Sequence, residues 1–104
     1  MKIIDEGGMH RKIIGDKYES NMSLDEIKEK IAQDIKETFP GLKFTIKEKK
    51  SGLAGDLIIT VEDDEEDVRD RIEKIAEEYR YIEEDIGSDY INTNFYVTVV
   101  MKGR

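Results

Sequence analysis

The stretch MSLDEIKEKIAQDIKETFPGLKFTIK, residues 22–47, changes its hydrophobic period at Pro40-Gly41, and that change decides the fold. Before it, Leu24, Ile27, Ile31, Ile35 and Phe39 recur at spacings of 3, 4, 4 and 4, which lays one apolar stripe along a helix. Ser23-Leu24-Asp25-Glu26 reads as a capping box, with Met22 and Ile27 placed for a hydrophobic staple. Glu26 and Lys30 stand four apart in the favourable order on the solvated side. Pro40 ends the helix, because the residue before a proline resists helical geometry. After it, Leu42, Phe44 and Ile46 alternate with Lys43, Thr45 and Lys47, a strand with one apolar and one basic face.

Working outward, Leu57, Ile59 and Val61 give a second strand, joined to the first through a hairpin loop at Lys50–Asp56. The acidic run Glu62–Asp67 opens a second helix, whose stripe is Val68, Ile72, Ile75, Ala76, Tyr79 and Ile82 or Ile86. Gly87 is its expected stop, with an earlier end near Arg80 as the alternative. Asn92-Thr93-Asn94 reads as a turn. Phe95–Met101, apolar on both faces, reads as an inner strand. At the N-terminus, Lys2-Ile3-Ile4 and Lys12-Ile13-Ile14 flank Gly7-Gly8, a small hairpin or two extended arms. The expected organisation is an N-terminal extended segment, 1–21, and a single small α+β domain, 22–104. Two helices pack on one face of a mostly antiparallel sheet in the order β-α-β-β-α-β, a ferredoxin-like or similar arrangement.

The composition closes off most chemistry. The 104 residues contain no Cys, no Trp and a single His, which excludes disulfides, thiolate metal sites, a Cys nucleophile and any His pair. An EF-hand spacing and a phosphate-binding Gly-Lys-Ser/Thr loop are also missing, so no catalytic residue, metal or cofactor is expected. No apolar run approaches the roughly 18 residues of a membrane span, and a soluble, cytoplasmic protein is expected. The net charge is −8, from 17 basic and 25 acidic residues. Residues 1–61 balance at 11 of each sign, and residues 62–104 carry 6 basic against 14 acidic. All of the net charge therefore lies in the second segment.

Function is then a question of surfaces. Asp70, Glu73, Glu77, Glu78 and Glu84 fall at helical spacings on the polar side of the second helix. Such a row can imitate nucleic-acid phosphates to a basic groove, though a solvated face is the plainer use. Glu83, Glu84 and Asp85 oppose the helix dipole if the helix reaches Gly87. With Asp89, and with Tyr81 and Tyr90 as interface aromatics, these residues form the expected partner-binding set. Lys43, Lys47, Lys49 and Lys50 are the alternative, a nucleic-acid contact beside Gly52-Leu53-Ala54-Gly55. The negative net charge disfavours it.

Phe39-Pro40-Gly41-Leu42-Lys43-Phe44, with its preceding helix and following hairpin, resembles the small "large polyvalent protein-associated" domains of phages and integrative elements. The similarity extends in order over residues 22–101. It departs at Glu62-Asp63-Asp64-Glu65, where that group more usually has an aromatic and a Gly-Pro turn. The resemblance implies a mobile-element origin and carries no catalytic residues with it. Small acidic proteins of such elements resemble anti-CRISPR and anti-restriction inhibitors. The implied partner is a host protein with a basic surface, a nuclease or ribonucleoprotein.

Overall fold

The computed structural model describes residues 1–8, 10–51, 54–85, 87–88 and 90–103. In chain order its elements are β1 (Lys2–Asp5), β2 (His10–Ile14), α1 (Leu24–Thr38), β3 (Phe44–Ser51), β4 (Ala54–Val61), α2 (Glu66–Glu77), β5 (Tyr81–Asp85), β6 (Tyr90–Thr93) and β7 (Phe95–Met101). They make two sheets, β3-β4-β7 and β1-β2-β5-β6. The class is α+β, as expected, and the ferredoxin-like order is not found.

The first sheet carries the core. Leu57, Ile59 and Val61 of β4 and Phe95 and Val99 of β7 cluster with Ile27, Ile31 and Ile35 of α1 and Val68, Ile72 and Ala76 of α2. Each fully buried side chain here, such as Ile31 or Leu57, contributes about 1.5–3 kcal/mol. The α1 cap forms as its sequence requires: the Ser23 hydroxyl accepts from Glu26 N–H at 3.2 Å. The same hydroxyl donates to the Glu26 carboxylate at 3.3 Å. β3 and β4 are antiparallel from Phe44↔Val61 to Ser51↔Ala54. The loop expected over Lys50–Asp56 is therefore mostly strand, and Gly52 and Leu53 lie outside the described residues. β4 and β7 are parallel, which requires a crossover, and α2 supplies it. β7 consequently lies at an edge rather than inside, and β4 is the inner strand.

The second sheet was hidden in the second-helix reading. α2 ends at Glu77, near the earlier of the two expected stops, and Tyr81–Asp85, the last turns of a helix reaching Gly87, is strand. Ile82 suits either period: three residues after Tyr79 on a helix, or opposite Ile13 on a strand. Charge decides for the strand. His10, Arg11 and Lys12 stand opposite Asp85, Glu84 and Glu83, so the basic block of β2 faces the acidic block of β5. Thr93, expected in a turn, closes β6, and the chain bends at Asn94. The N-terminal hairpin forms across Gly7 and Gly8, both with positive φ, and its second strand pairs with β5. Only Thr93 is buried among this sheet's described residues, so neither face forms a core. It lengthens the molecule to 46 × 25 × 22 Å.

Two polar side chains join the sheets. Asn94 Oδ1 accepts from the N–H groups of Tyr81 and Phe95 at 2.9 and 3.1 Å. Its Nδ2 donates to Tyr79 O at 2.9 Å. Arg80 donates to Phe95 O at 3.0 Å and to Glu77 at 2.9 Å. Gly15, leaving β2, lies so close to the end of α2 that a Cβ there would stand 2.2 Å from Glu78 O. A Cβ on Gly55 would meet only the Leu24 side-chain tip, at 2.5 Å. Gly15→Ala is therefore expected to cost about 2–4 kcal/mol in urea unfolding, and Gly55→Ala less than half of that, because a leucine tip rotates away and a carbonyl cannot.

Candidate functional site

The partner-binding set does not form one row. Asp70, Glu73 and Glu77 lie on α2, and Glu78 caps it. Tyr81, Glu83, Glu84 and Asp85 belong to β5 and Tyr90 to β6, in the other sheet. Asp89 lies outside the described residues. Glu84, expected on the polar face of the helix, is thus corrected to a strand, where no helix dipole acts on it. Within the sheet, alternation puts Tyr81, Glu83, Asp85 and Tyr90 on one side and Glu84 on the other, with Ile82 and Ile91.

Most of these acids already have cations. Arg11 meets Glu84 at 2.6 Å, and His10 Nε2 lies 3.4 Å from Glu83. Arg69 meets Glu73 at 3.2 Å, Arg80 meets Glu77 at 2.9 Å, and Lys17 lies 3.4 Å from Glu78. The helix and strand carboxylates are therefore largely neutralised within the chain. Asp64, Glu65, Glu66, Asp67 and Asp70 are different: all are exposed, and none has an ion pair among the described residues. Asp63, in the same run, is buried and accepts from Glu65 N–H at 2.9 Å, which organises the turn into α2. The uncompensated charge thus gathers at the start of α2. No group of three or more His, Cys, Asp or Glu among the described residues could hold a metal ion.

Exposed apolar groups gather elsewhere. Tyr90 is 50% and Ile91 59% exposed on the outer strand β6, and Ile3 is 61% exposed on the outer strand β1. Tyr18 stacks on Tyr81 with ring centroids 5.3 Å apart, and Tyr81 O–H donates to Glu83 at 2.8 Å. Burial, then Glu83, pushes the Tyr81 phenol up from its usual range. The lysines split. Lys43, Lys47 and Lys49 fall on the uncovered side of the β3-β4-β7 sheet, and Lys50 on the side of Phe44 and Ile46. Tyr96, 45% exposed, shares that uncovered side, with the Arg80 guanidinium 6.0 Å from its ring. A groove of about 670 Å³ runs between Phe39, Lys43, Glu62, Asp63 and Lys102 and concentrates neither sign of charge.

Sequence reading missed Asp34, whose carboxylate accepts from Tyr79 O–H at 2.5 Å and Lys17 Nζ at 3.1 Å. Only the spacing of Asp34 beside the Ile31/Ile35 stripe hinted at an inward-leaning acid. No helix among the described residues is long and apolar enough to cross a membrane. No family model, curated protein or solved structure matches the chain.

Burial, then the Asp34 acceptor, pushes the Tyr79 phenol up to about 12, and Asp34 raises the Lys17 ammonium as well. A raised pKa means that the folded state holds the proton more tightly than the unfolded chain. Tyr79's contribution is therefore complete below about pH 10 and is lost as the pH rises through about 12. Tyr79→Phe should cost about 1–2 kcal/mol at neutral pH and flatten the alkaline decline in chemical unfolding.

Proposed function

We propose that the protein is a non-enzymatic binding module that occupies a basic surface on another protein. The observation that carries this reading is the β1-β2-β5-β6 sheet, which has no covering layer and presents Tyr90 on one side and Ile91 on the other of an outer strand. Large exposed apolar groups on a rigid edge supply desolvated contact, and tyrosine does so at small entropic cost. The unpaired carboxylates from Asp64 to Asp70 favour a cationic partner and speed its approach. A protein whose working groove handles nucleic acid has that charge. The resemblance at Phe39–Phe44 supports a host defence nuclease as the target of a mobile-element inhibitor.

A second reading rests on Lys43, Lys47, Lys49 and Tyr96 sharing one open sheet side, a cationic surface with an aromatic ring on which a base can stack. Fluorescence anisotropy with a single-stranded oligonucleotide separates the two. The first reading expects no binding at physiological salt, and a complex lost in Lys47→Glu/Lys49→Glu would replace it with the second.

The direct test starts from a partner captured from bacterial lysate. Tyr90→Ala with Ile91→Ser should weaken that complex by about 2 kcal/mol or more, mainly through faster dissociation, with the melting temperature unchanged. Glu66→Lys with Asp70→Lys should instead slow association and reduce its salt dependence. Unaltered affinity in both variants sinks the proposal.

A further inference from the structure

We propose that the open edge of β7 is a self-association site, pairing antiparallel with β7 of a second copy about a two-fold axis at Thr98. The phase of the strand is set by Lys102, whose N–H donates to Val61 O at 2.8 Å. Bonding residues alternate along a strand, so the even-numbered residues of β7 face β4. The N–H and C=O groups of Val97, Val99 and Met101 then point to the open edge. Phe95, in the same phase, already gives its carbonyl to Arg80. A strand edge with unmet backbone groups is a template for another strand.

The occupant follows from the side chains. Phe95-Tyr96-Val97-Thr98-Val99-Val100-Met101 carries no charge, no Pro and no Gly, and it reads nearly the same in both directions about Thr98. In the antiparallel register, Thr98 meets Thr98 of the second copy, Val97 meets Val99, and Tyr96 meets Val100. Thr–Thr, β-branched and aromatic–β-branched pairs are the favourable cross-strand combinations. The phase agrees as well. Val97 and Val99 form the hydrogen-bonded pairs, giving four backbone bonds about the axis, and Thr98 forms the non-bonded pair on it. The opposite edge of the same sheet cannot do this. Antiparallel self-pairing of β3 about Glu48 sets Glu48 against its own copy and Lys47 against Lys49, like charges that are the usual protection of an edge. The product is a six-stranded sheet, β3-β4-β7 continued into its mate. With −8 on each copy, the pairing strengthens as salt rises.

Sedimentation equilibrium of the intact chain is the test. A concentration-dependent dimer is expected, tighter at high salt. Thr98→Lys changes an exposed side chain and puts two ammonium groups face to face on the axis. It should weaken the dimer by tenfold or more while leaving the circular dichroism and melting temperature of the monomer in place. Thr98→Cys introduces the chain's only cysteine. Across a non-bonded antiparallel pair the Cα atoms lie about 4.5 Å apart, within the range of about 4.4–6.8 Å that a disulfide accepts. Mild oxidation should therefore convert Thr98→Cys to a reducible covalent dimer, and the same treatment of Thr45→Cys on β3 should not. A parent that stays monomeric at millimolar concentration overturns the proposal. So does a dimer that survives Thr98→Lys, or one that Thr98→Cys fails to cross-link.

Discussion

One asparagine determines how the two sheets can belong to one chain. At Asn94 the backbone leaves β6 and enters β7, and the peptide groups on either side would otherwise turn inward unpaired. Asn94 Oδ1 takes two of their N–H groups and its Nδ2 takes the carbonyl of Tyr79. Its own N–H donates to Tyr81 O at 3.2 Å. A side-chain amide offers an acceptor and two donors in one plane, which no aliphatic or acidic residue can supply. Arg80 closes the remaining gap by bonding Phe95 O, with Glu77 balancing its charge. The end of α2, the start of β5 and the start of β7 therefore share one polar junction. Leaving any of those groups without a partner costs about 1–3 kcal/mol.

The charge pattern follows from the same construction. A sheet that buries only Thr93 cannot be held by apolar area, so its register must come from elsewhere. Cross-strand charge draws β2 to β5, and side-chain alternation fixes the alignment. A one-residue slip of β2 against β5 would move Arg11 away from Glu84 and turn Ile13 and Ile82 to opposite sides. Exposed ion pairs are individually worth only about 0.2–1 kcal/mol. A slip of one residue still sets most of the basic residues opposite acids, so the Ile13–Ile82 pair is what distinguishes the alignments. The acids of β5 are thus first a structural device. What remains for long-range attraction is the uncompensated group at the start of α2.

The core was legible from residues 22–61 because every local signal there agrees. The cap, the 3.6-residue stripe, Pro40-Gly41 and the alternating strands all point one way, and the structure keeps them. Legibility failed between Arg80 and Asn94. Tyr79 and Ile82 fit a helical period, and the partner that makes Tyr81–Asp85 a strand lies about seventy residues earlier, in β2. Pairing so remote leaves no trace in a local window. The complementary signal was the cationic block His10-Arg11-Lys12 against Glu83-Glu84-Asp85, visible only when two distant segments are compared. Phe95–Met101 is a strand as read, and only its place in the sheet differs. Its two apolar faces suggested burial on both sides, yet the outward face, Tyr96, Thr98 and Val100, is exposed. Tyr81 and Tyr90 share a side of the second sheet, where Tyr18 stacks on Tyr81.

On the proposed reading, attraction and contact are separated on this molecule. The unpaired carboxylates sit where α2 begins, and the exposed aromatic and aliphatic groups sit on β6 in the other sheet. Physically the two tasks place different demands on a surface. Attraction acts over roughly a Debye length, about 8 Å at physiological salt, and needs charge that is solvated and free of intramolecular partners. Short-range contact needs side chains that lose little entropy and little hydration when covered, which favours Tyr90 and Ile91 over any carboxylate. A single helical row of acids would have had to do both, giving up hydration at each charge on contact. On the proposed reading, engaging Glu83 and Glu84 with β2 and leaving Asp64 to Asp70 exposed keeps desolvation of charge out of the contact surface.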